Sequence, residues 1–475
     1  MSLLRSDLYE FQQEDIDKLF SSASVLITNE MGTGKTYEAV ALDYFRRQGN
    51  ITVKTLVVCN KAGVEATWYK HFSELCPEVP IVIMDAKARG AFVKAAQSKQ
   101  GGIFIAHWEG IRLEHQSLRD VPWYHIIADE CQKMQNRKAQ VTQAIKKFKP
   151  TFRTAMSGTP ITTNVEQYWS VLNWLWPSVF RSYWSYYKRY ITYDIKYPEG
   201  YHINKRPQNI EELLAILEPF TVRHLKKEPC CEHHPNGVMP WLPDKMYEQY
   251  WVDLTPVQRK AYNDMKRDFV SWVGAQGDKP LVAPVVIARL VRLQQFALAY
   301  AEVVYDNDEE EEHGLGRVIL SEPSSKFEAA EEIILEHVEA GEQVVVYSQF
   351  SQAIKLLGKR LEKAGINHAL YTGATSDSER TRIVRGFLAG EIGVFAGTIK
   401  AGGIGLDLFT ASTVIFLDRS WSPSENVQAE DRLHRHGQKN SVRIIDIMAR
   451  NTIDLGRKQQ IDLKWSFIKQ LLGDK

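Results

Sequence analysis

The sequence predicts an α/β fold built as two parallel-sheet lobes in tandem, with helical insertions between them. Three observations carry this. Short β-branched runs alternate with segments of helical period from Val25 to about Pro160, the same alternation restarts near Lys326, and the stretch between them is mostly of helical period. At 475 residues the chain exceeds what one hydrophobic core organises, so two or three domains are expected.

Taken in order, the strands of the first lobe are "SVLIT", "TLVVCN", "IVIMD", "GIFIAH" and "YHIIADE". Such apolar runs separated by helices imply parallel pairing, and ligands of parallel sheets gather at the carboxyl ends of strands. After "SGTP" (157–160) comes "YWSVLNWLWPSVFRSYWSYYKRYITY", which reads as helices. Its Trp and Tyr residues are expected to fill a helical core, with stacking on bases as the alternative. In the second lobe "QVVVYSQF", "HALYTG", "GVFAGT", "TVIFLD" and "VRIIDIM" are strands, separated by amphipathic helices such as "SQAIKLLGKRLEKAG". The expected division is a first lobe over 1–165, insertions over 166–305, an acidic linker over 306–325 and a second lobe over 326–475. The acidic run "DNDEEEEHGLG" lacks the glycine of a calcium loop and reads as a solvated linker.

A formal net charge of +1 gives no global field for a polyanion, so any nucleic-acid contact must be made by local basic patches. Five cysteines at irregular spacing do not read as a disulfide framework and point to a reducing, intracellular compartment. The acidic N-terminal stretch lacks the apolar run of a secretion signal. The apolar segment Val285–Tyr305 is interrupted by Arg289 and Arg292, so no membrane span is expected.

The stretch "LITNEMGTGKTYEAV" (26–40) places a glycine loop between a strand and a helix. That is the context of a phosphate-binding loop, although Asn29 stands where the strict pattern has its first glycine. Backbone N–H groups of Met31, Gly32, Thr33, Gly34, Lys35 and Thr36 would face phosphates. Lys35 would neutralise the β and γ phosphates, and the Thr36 hydroxyl would be a Mg²⁺ ligand. Asn29 is tolerable there because Asn enters the left-handed region more easily than most residues. "HIIADECQ" ends a strand on paired acids: Asp129 would hold Mg²⁺, and Glu130 would orient and deprotonate the attacking water. Ser157 and Thr159 of "SGTP" could sense the γ-phosphate or simply cap a turn. In "NVQAEDRLHRHGQ", Arg432 and Arg435 are three apart, which predicts one face of a helix able to deliver both to a triphosphate.

The ordered set "FQQED", "NEMGTGKT", "DECQ", "SGTP", "VVVYSQF", "YTGATS", "GTIKAGGIGLDL" and "DRSWSPSENVQAEDRLHRHGQ" resembles the motifs of superfamily-two helicase-like ATPases, specifically the Swi/Snf-related DNA translocases. The resemblance runs from about Tyr9 to Thr452. It implies two RecA-like lobes, ATP and Mg²⁺ as cofactors, Gln12 at the adenine-reading position, Arg432 and Arg435 as arginine fingers, and Gly405 and Asp407 linking nucleotide and DNA. It also implies a DNA track at Lys61, His107, Trp108, Gln349, Thr372, Gly373, Lys400 and Trp421. The implied partner is double-stranded or forked DNA held by its phosphate backbone, and the implied activity is ATP-driven translocation. A strand-separating, branch-migrating or annealing helicase is the alternative, and a catalytically silent nucleotide-gated scaffold is a third. The chain resembles compact, motor-only viral (phage) or bacterial members, expected as monomers. Two departures are Asn29, where the family usually has Asp, and "DECQ" in place of D-E-A-H. A third is "CCEHHPNG" (230–237), where Cys230, Cys231, His233 and His234 are read as an inserted loop, with zinc as the alternative.

Overall fold

The computed structural model describes residues 7–61, 63–85, 87–162, 165–195, 203–229, 233–275, 283–305, 316–402 and 406–474. Cys230, Cys231, Gly405 and most of the acidic run lie outside them. The chain forms two compact units, Met1–Leu242 with Lys464–Lys475, and Pro243–Leu463. Their boundary falls inside the stretch that the sequence groups as insertions.

In the first unit the strands are β1 (Ser24–Ile27), β2 (Lys54–Cys59), β3 (Ile81–Ile83), β4 (Gly102–His107), β5 (His125–Asp129), β6 (Phe152–Met156) and, beyond an antiparallel hairpin of β7 (Ile191–Ile195) and β8 (Ile203–Pro207), β9 (Thr221–Val222). They make a seven-stranded sheet in the order β3-β4-β2-β5-β6-β1-β9, parallel at every pairing. Both faces are covered, as the apolar runs require. Leu26, Leu56, Val58, Phe104, Ile126 and Ala155 point into one core, and their neighbours Val25, Ile27, Val57, Ile103, Ile105 and Ile127 into the other. This period-two split is the pleat itself.

The second unit contains β10 (Lys245–Val252), an antiparallel pair β11 (Tyr300–Val304) and β12 (Arg317–Ser321), then β13 (Val344–Ser348), β14 (His368–Tyr371), β15 (Val394–Thr398), β16 (Thr413–Phe416) and β17 (Val442–Ala449). Its main sheet, β10-β17-β16-β13-β15-β14, is again parallel throughout. The expected helix appears as Ser351–Lys363, burying Ala353, Ile354, Leu357, Gly358 and Leu361 as one stripe. The two parallel-sheet lobes are therefore present.

The aromatic stretch forms helices Tyr168–Leu175 and Tyr183–Tyr190. Tyr168, Trp169, Trp174, Tyr186 and Tyr190 are buried in the first unit's core, while Trp184 is exposed. Packing is thus the main use of these rings. The strand β10 has no strong signal in "KMYEQYWV", because as an edge strand it leaves Met246, Tyr247 and Tyr250 exposed beside charged neighbours. Among the described residues no helix is long and apolar enough to cross a membrane, and no group of three or more His, Cys, Asp or Glu is placed to hold a metal ion. His233 and His234 instead face Glu14, at 3.3 and 3.5 Å.

Candidate active site

In the first unit β5, β6 and β1 are adjacent and parallel, so the segments that follow them emerge side by side at their carboxyl ends. These segments are the glycine loop, the acids Asp129 and Glu130, and the "SGTP" turn. Gly32 and Gly34 have φ of +84° and +88°, the left-handed conformations that bend the loop into helix Lys35–Arg47. Asn29 is not among the residues with positive φ, which corrects the expectation that its backbone tolerance mattered.

The side chain of Asn29 is what counts. It is wholly buried, its Nδ2 donates to Asp15 Oδ2 (2.8 Å) and Glu38 Oε2 (3.0 Å), and its Oδ1 accepts the His224 backbone N–H (2.8 Å). Asp15 also meets His224 Nε2 at 2.8 Å. One amide therefore ties the end of β1 to helix Glu10–Leu19, to helix Lys35–Arg47 and to the segment after β9. Burial, and then the neighbouring Asp15, hold the Glu38 carboxyl well above the usual carboxylate range.

Lys35 Nζ donates to the carbonyls of Asn29 (2.8 Å) and Glu30 (2.9 Å). Burial lowers its ammonium to about 8, opposed by Glu130 and Asp129, with Arg223 adding to the lowering. An anion beside Lys35 would remove that penalty, as a phosphate does. Gln12 is buried rather than presented: its Nε2 lies 3.3 and 3.4 Å from the Thr33 and Gly34 carbonyls. In this conformation it braces the loop.

Asp129 Oδ2 accepts the Trp68 indole N–H (2.9 Å), and Oδ1 accepts the Glu130 backbone N–H (2.8 Å). Burial and then Glu130 raise its carboxyl to about 7. The Asp129 carboxylate and, in the first turn of helix Lys35–Arg47, the Thr36 hydroxyl are oxygen donors of the kind a hard cation such as Mg²⁺ takes. Asp129 and Glu130 are half-buried, and two adjacent acids also favour a cation. Glu130 has φ of +50°, a conformation costly for a residue with a Cβ. Its Oε2 is held by Gln132 Nε2 (2.6 Å), with Ser157 Oγ at 3.5 Å. Gly158 closes the site: a Cβ there would stand 2.6 Å from Met31 Cγ and 3.3 Å from Lys35 Nζ. Arg223 reaches the Thr28 carbonyl and the Gly158 carbonyl (3.2 Å), and is itself held by Asp474 at 2.7 and 2.9 Å.

The DNA-track residues of the first unit follow β2 and β4, whose ends are paired at Cys59 and His107. Lys61 is exposed, and His107 caps helix Trp108–Leu118 by accepting the Gly110 N–H (2.9 Å). Trp108 corrects the expectation. It is 6% exposed, and its indole donates to the Asp129 carbonyl (3.1 Å), so the ring is core and not open to a base or phosphate.

In the second unit Gln349, Thr372 with Gly373, Lys400 and Trp421 follow β13, β14, β15 and β16, so all lie beyond the carboxyl ends of neighbouring parallel strands. Lys400 and Gly373 are exposed, and Thr372 is buried. Trp421 Nε1 donates to Gln294 Oε1 (3.1 Å), and Gln294 Nε2 donates to Asp418 Oδ1 (3.0 Å), which also accepts the Gln349 N–H (3.0 Å). Arg432 and Arg435 do not share a helix face. The helix Pro423–Glu430 ends before them and they lie in the turns that follow, with Gly437 at φ +99° just beyond. They still converge, because both donate to the Leu406 carbonyl (3.3 and 3.1 Å) and Arg435 also pairs with Asp407. Burial lowers the Arg435 guanidinium to about 10.

Sequence reading missed Trp68, Gln132, Arg223, Gln294 and the Asn29 network. Only Gln132 had a signal, two residues after Glu130. The others act through partners far away in the chain.

Models of two families match the chain: the SNF2-related domain over residues 9–295 and the helicase conserved C-terminal domain over residues 325–437. Among curated relatives, the ATP-dependent helicase brm of Drosophila melanogaster is 25% identical over 95% of this chain and 28% of its own length. The transcription regulatory protein SNF2 of Saccharomyces cerevisiae is 26% identical over 90% and 25%, and an uncharacterized ATP-dependent helicase of Mycoplasma genitalium 26% over 94% and 40%. The chain thus spans well under half the length of these relatives. Among solved structures, the Sulfolobus solfataricus SWI2/SNF2 ATPase core in complex with dsDNA covers 99% of this chain and 94% of its own, at 22% identity and a TM-score of 0.44.

Proposed function

The chain belongs to the SNF2-related domain family, and from that premise we propose that it is a DNA-dependent ATPase that uses hydrolysis to move along double-stranded DNA. The observation that carries the reading is the meeting of Lys35, Asp129 and Glu130 beyond the carboxyl ends of β1 and β5, the two strands that flank β6. Two proximities support it: Gly158 abuts Lys35, and Ser157 abuts Glu130.

In this reading the glycine loop and Lys35 bind the triphosphate, and phosphate oxygens replace the carbonyls of Asn29 and Glu30 as partners of Nζ. Asp129 and Thr36 hold Mg²⁺, which when bound offsets charge on the phosphates. Glu130, fixed by Gln132, orients a water and takes its proton. Arg432 and Arg435 carry the arginine-finger role, worth about 10³ to 10⁵ in rate in other enzymes. Lys61, His107, Gln349, Thr372, Gly373, Lys400 and Trp421 are the proposed track for the DNA backbone. Contacts to phosphate predict strong salt dependence and little base preference.

Relatives named as helicases leave strand separation as the competing activity. Triplex displacement set beside fork unwinding separates the two. Displacement of a third strand from intact duplex, without fork opening, is the expected result. Unwinding with no need for duplex ahead would replace translocation by strand separation.

A further inference from the structure

Asp129 is gripped by two indoles that its own strand does not supply. Trp108, after β4, donates to its backbone carbonyl, and Trp68, after β2, donates to its carboxylate. Trp68 is completely buried and packs on Phe72, ring centroids 6.0 Å apart, so the ring has no freedom to turn away. It lies in Val64–Tyr69, a segment of π-helical winding. Such wide turns recur at functional sites because they redirect side chains.

We propose that Trp68 is a positioning residue for the reaction, fixing the metal-holding carboxylate of Asp129 in one rotamer. The proposal rests on the reading of Asp129 as that carboxylate. An indole N–H can only donate, so it favours the ionised acid and cannot compete for a cation. With Oδ2 accepting from Trp68 and Oδ1 from the Glu130 N–H, each oxygen keeps a further lone-pair direction for a metal or its water. A lysine or arginine in the same place would repel the cation that Asp129 is to hold. Partners of this kind typically govern metal affinity by about 10- to 100-fold.

An ordinary core tryptophan offers the contrast. Trp123 is just as buried, and its indole donates to the Leu118 carbonyl (3.0 Å), away from the acids. Both Trp68→Phe and Trp123→Phe remove a buried indole and its hydrogen bond. Only the first should touch the metal.

The test is the Mg²⁺ dependence of binding of a fluorescent, non-hydrolysable ATP analogue to the full chain at equilibrium. Trp68→Phe is expected to raise the Mg²⁺ concentration for half-saturation about tenfold, with Trp123→Phe on the wild-type curve. A Trp68→Phe curve that overlies wild type, while Asp129→Asn shifts it, would overturn the role of Trp68 alone. If Asp129→Asn leaves the curve in place, the metal reading itself fails. Should Trp68→Phe not fold, the wild-type chain with ¹⁵N-labelled indoles serves: adding Mg²⁺ to the analogue complex should move an indole N–H signal, and none moving would equally overturn the proposal.

Discussion

Asn29 Nδ2 lies 2.8 Å from Asp15 Oδ2, with both residues buried, and the same amide holds Glu38 through its other N–H. Two acids therefore share one donor group. Asn29→Asp would leave three carboxyls with no amide between them, at a cost of about 2 kcal/mol or more. The melting temperature should fall, and adding Glu38→Gln should restore part of it by returning an amide to the network. A double variant no more stable than Asn29→Asp would show that the network is not governed by this donor count.

That amide also marks where the sequence stops being legible. Strands β1 to β5 and β13 to β17 and the motifs at their ends follow from local apolar period and glycine placement, so both lobes and Lys35, Asp129 and Glu130 can be read directly, whereas β6 to β12 carry no such period. Asn29 joins residues 14 positions before it, nine after it and 195 after it, and no local pattern records such distances. Trp108 misled because a tryptophan at a strand end looks the same whether it faces DNA or the Asp129 carbonyl. Arg432 and Arg435 both donate to the Leu406 carbonyl although the helix that was expected to align them ends at Glu430.

Burial lifts the Asp129 carboxyl to about 7, against an ordinary value near 4. The folded chain therefore holds that proton where the unfolded chain releases it. The stability this contributes is complete below about pH 4 and is lost as pH rises through about 7. Asp129→Asn removes the titration, so without Mg²⁺ its melting temperature should exceed that of wild type at pH 8 and gain less at pH 5. Equal differences at both values would contradict the assignment.

A methyl group at position 158 would collide with Met31 and crowd Lys35. Gly158→Ala should therefore lower kcat/KM for ATP by about 10²-fold, since a displacement near 1 Å at a reacting group costs that much. Circular dichroism should show an unchanged fold, and unchanged ATP kinetics would mean that the turn does not abut the working site.

Gln132 fixes Glu130 through a 2.6 Å hydrogen bond. Losing a bond to a charged group costs about 1.5 kcal/mol or more, so Gln132→Ala should lower kcat about tenfold or more. ATP affinity should hold, because Gln132 touches the proposed base and not the glycine loop. A change in affinity with kcat intact would assign Gln132 to binding instead.

The proposed function requires that this site hydrolyse ATP in response to DNA. The steady-state ATPase rate of the purified chain, measured alone and with duplex DNA, single-stranded DNA or RNA, tests it most directly. Strong stimulation by duplex DNA is expected, with a fall of about 10² to 10⁴ in that rate for Glu130→Gln. Stimulation by RNA alone, or a duplex-stimulated rate that Glu130→Gln leaves intact, would contradict it.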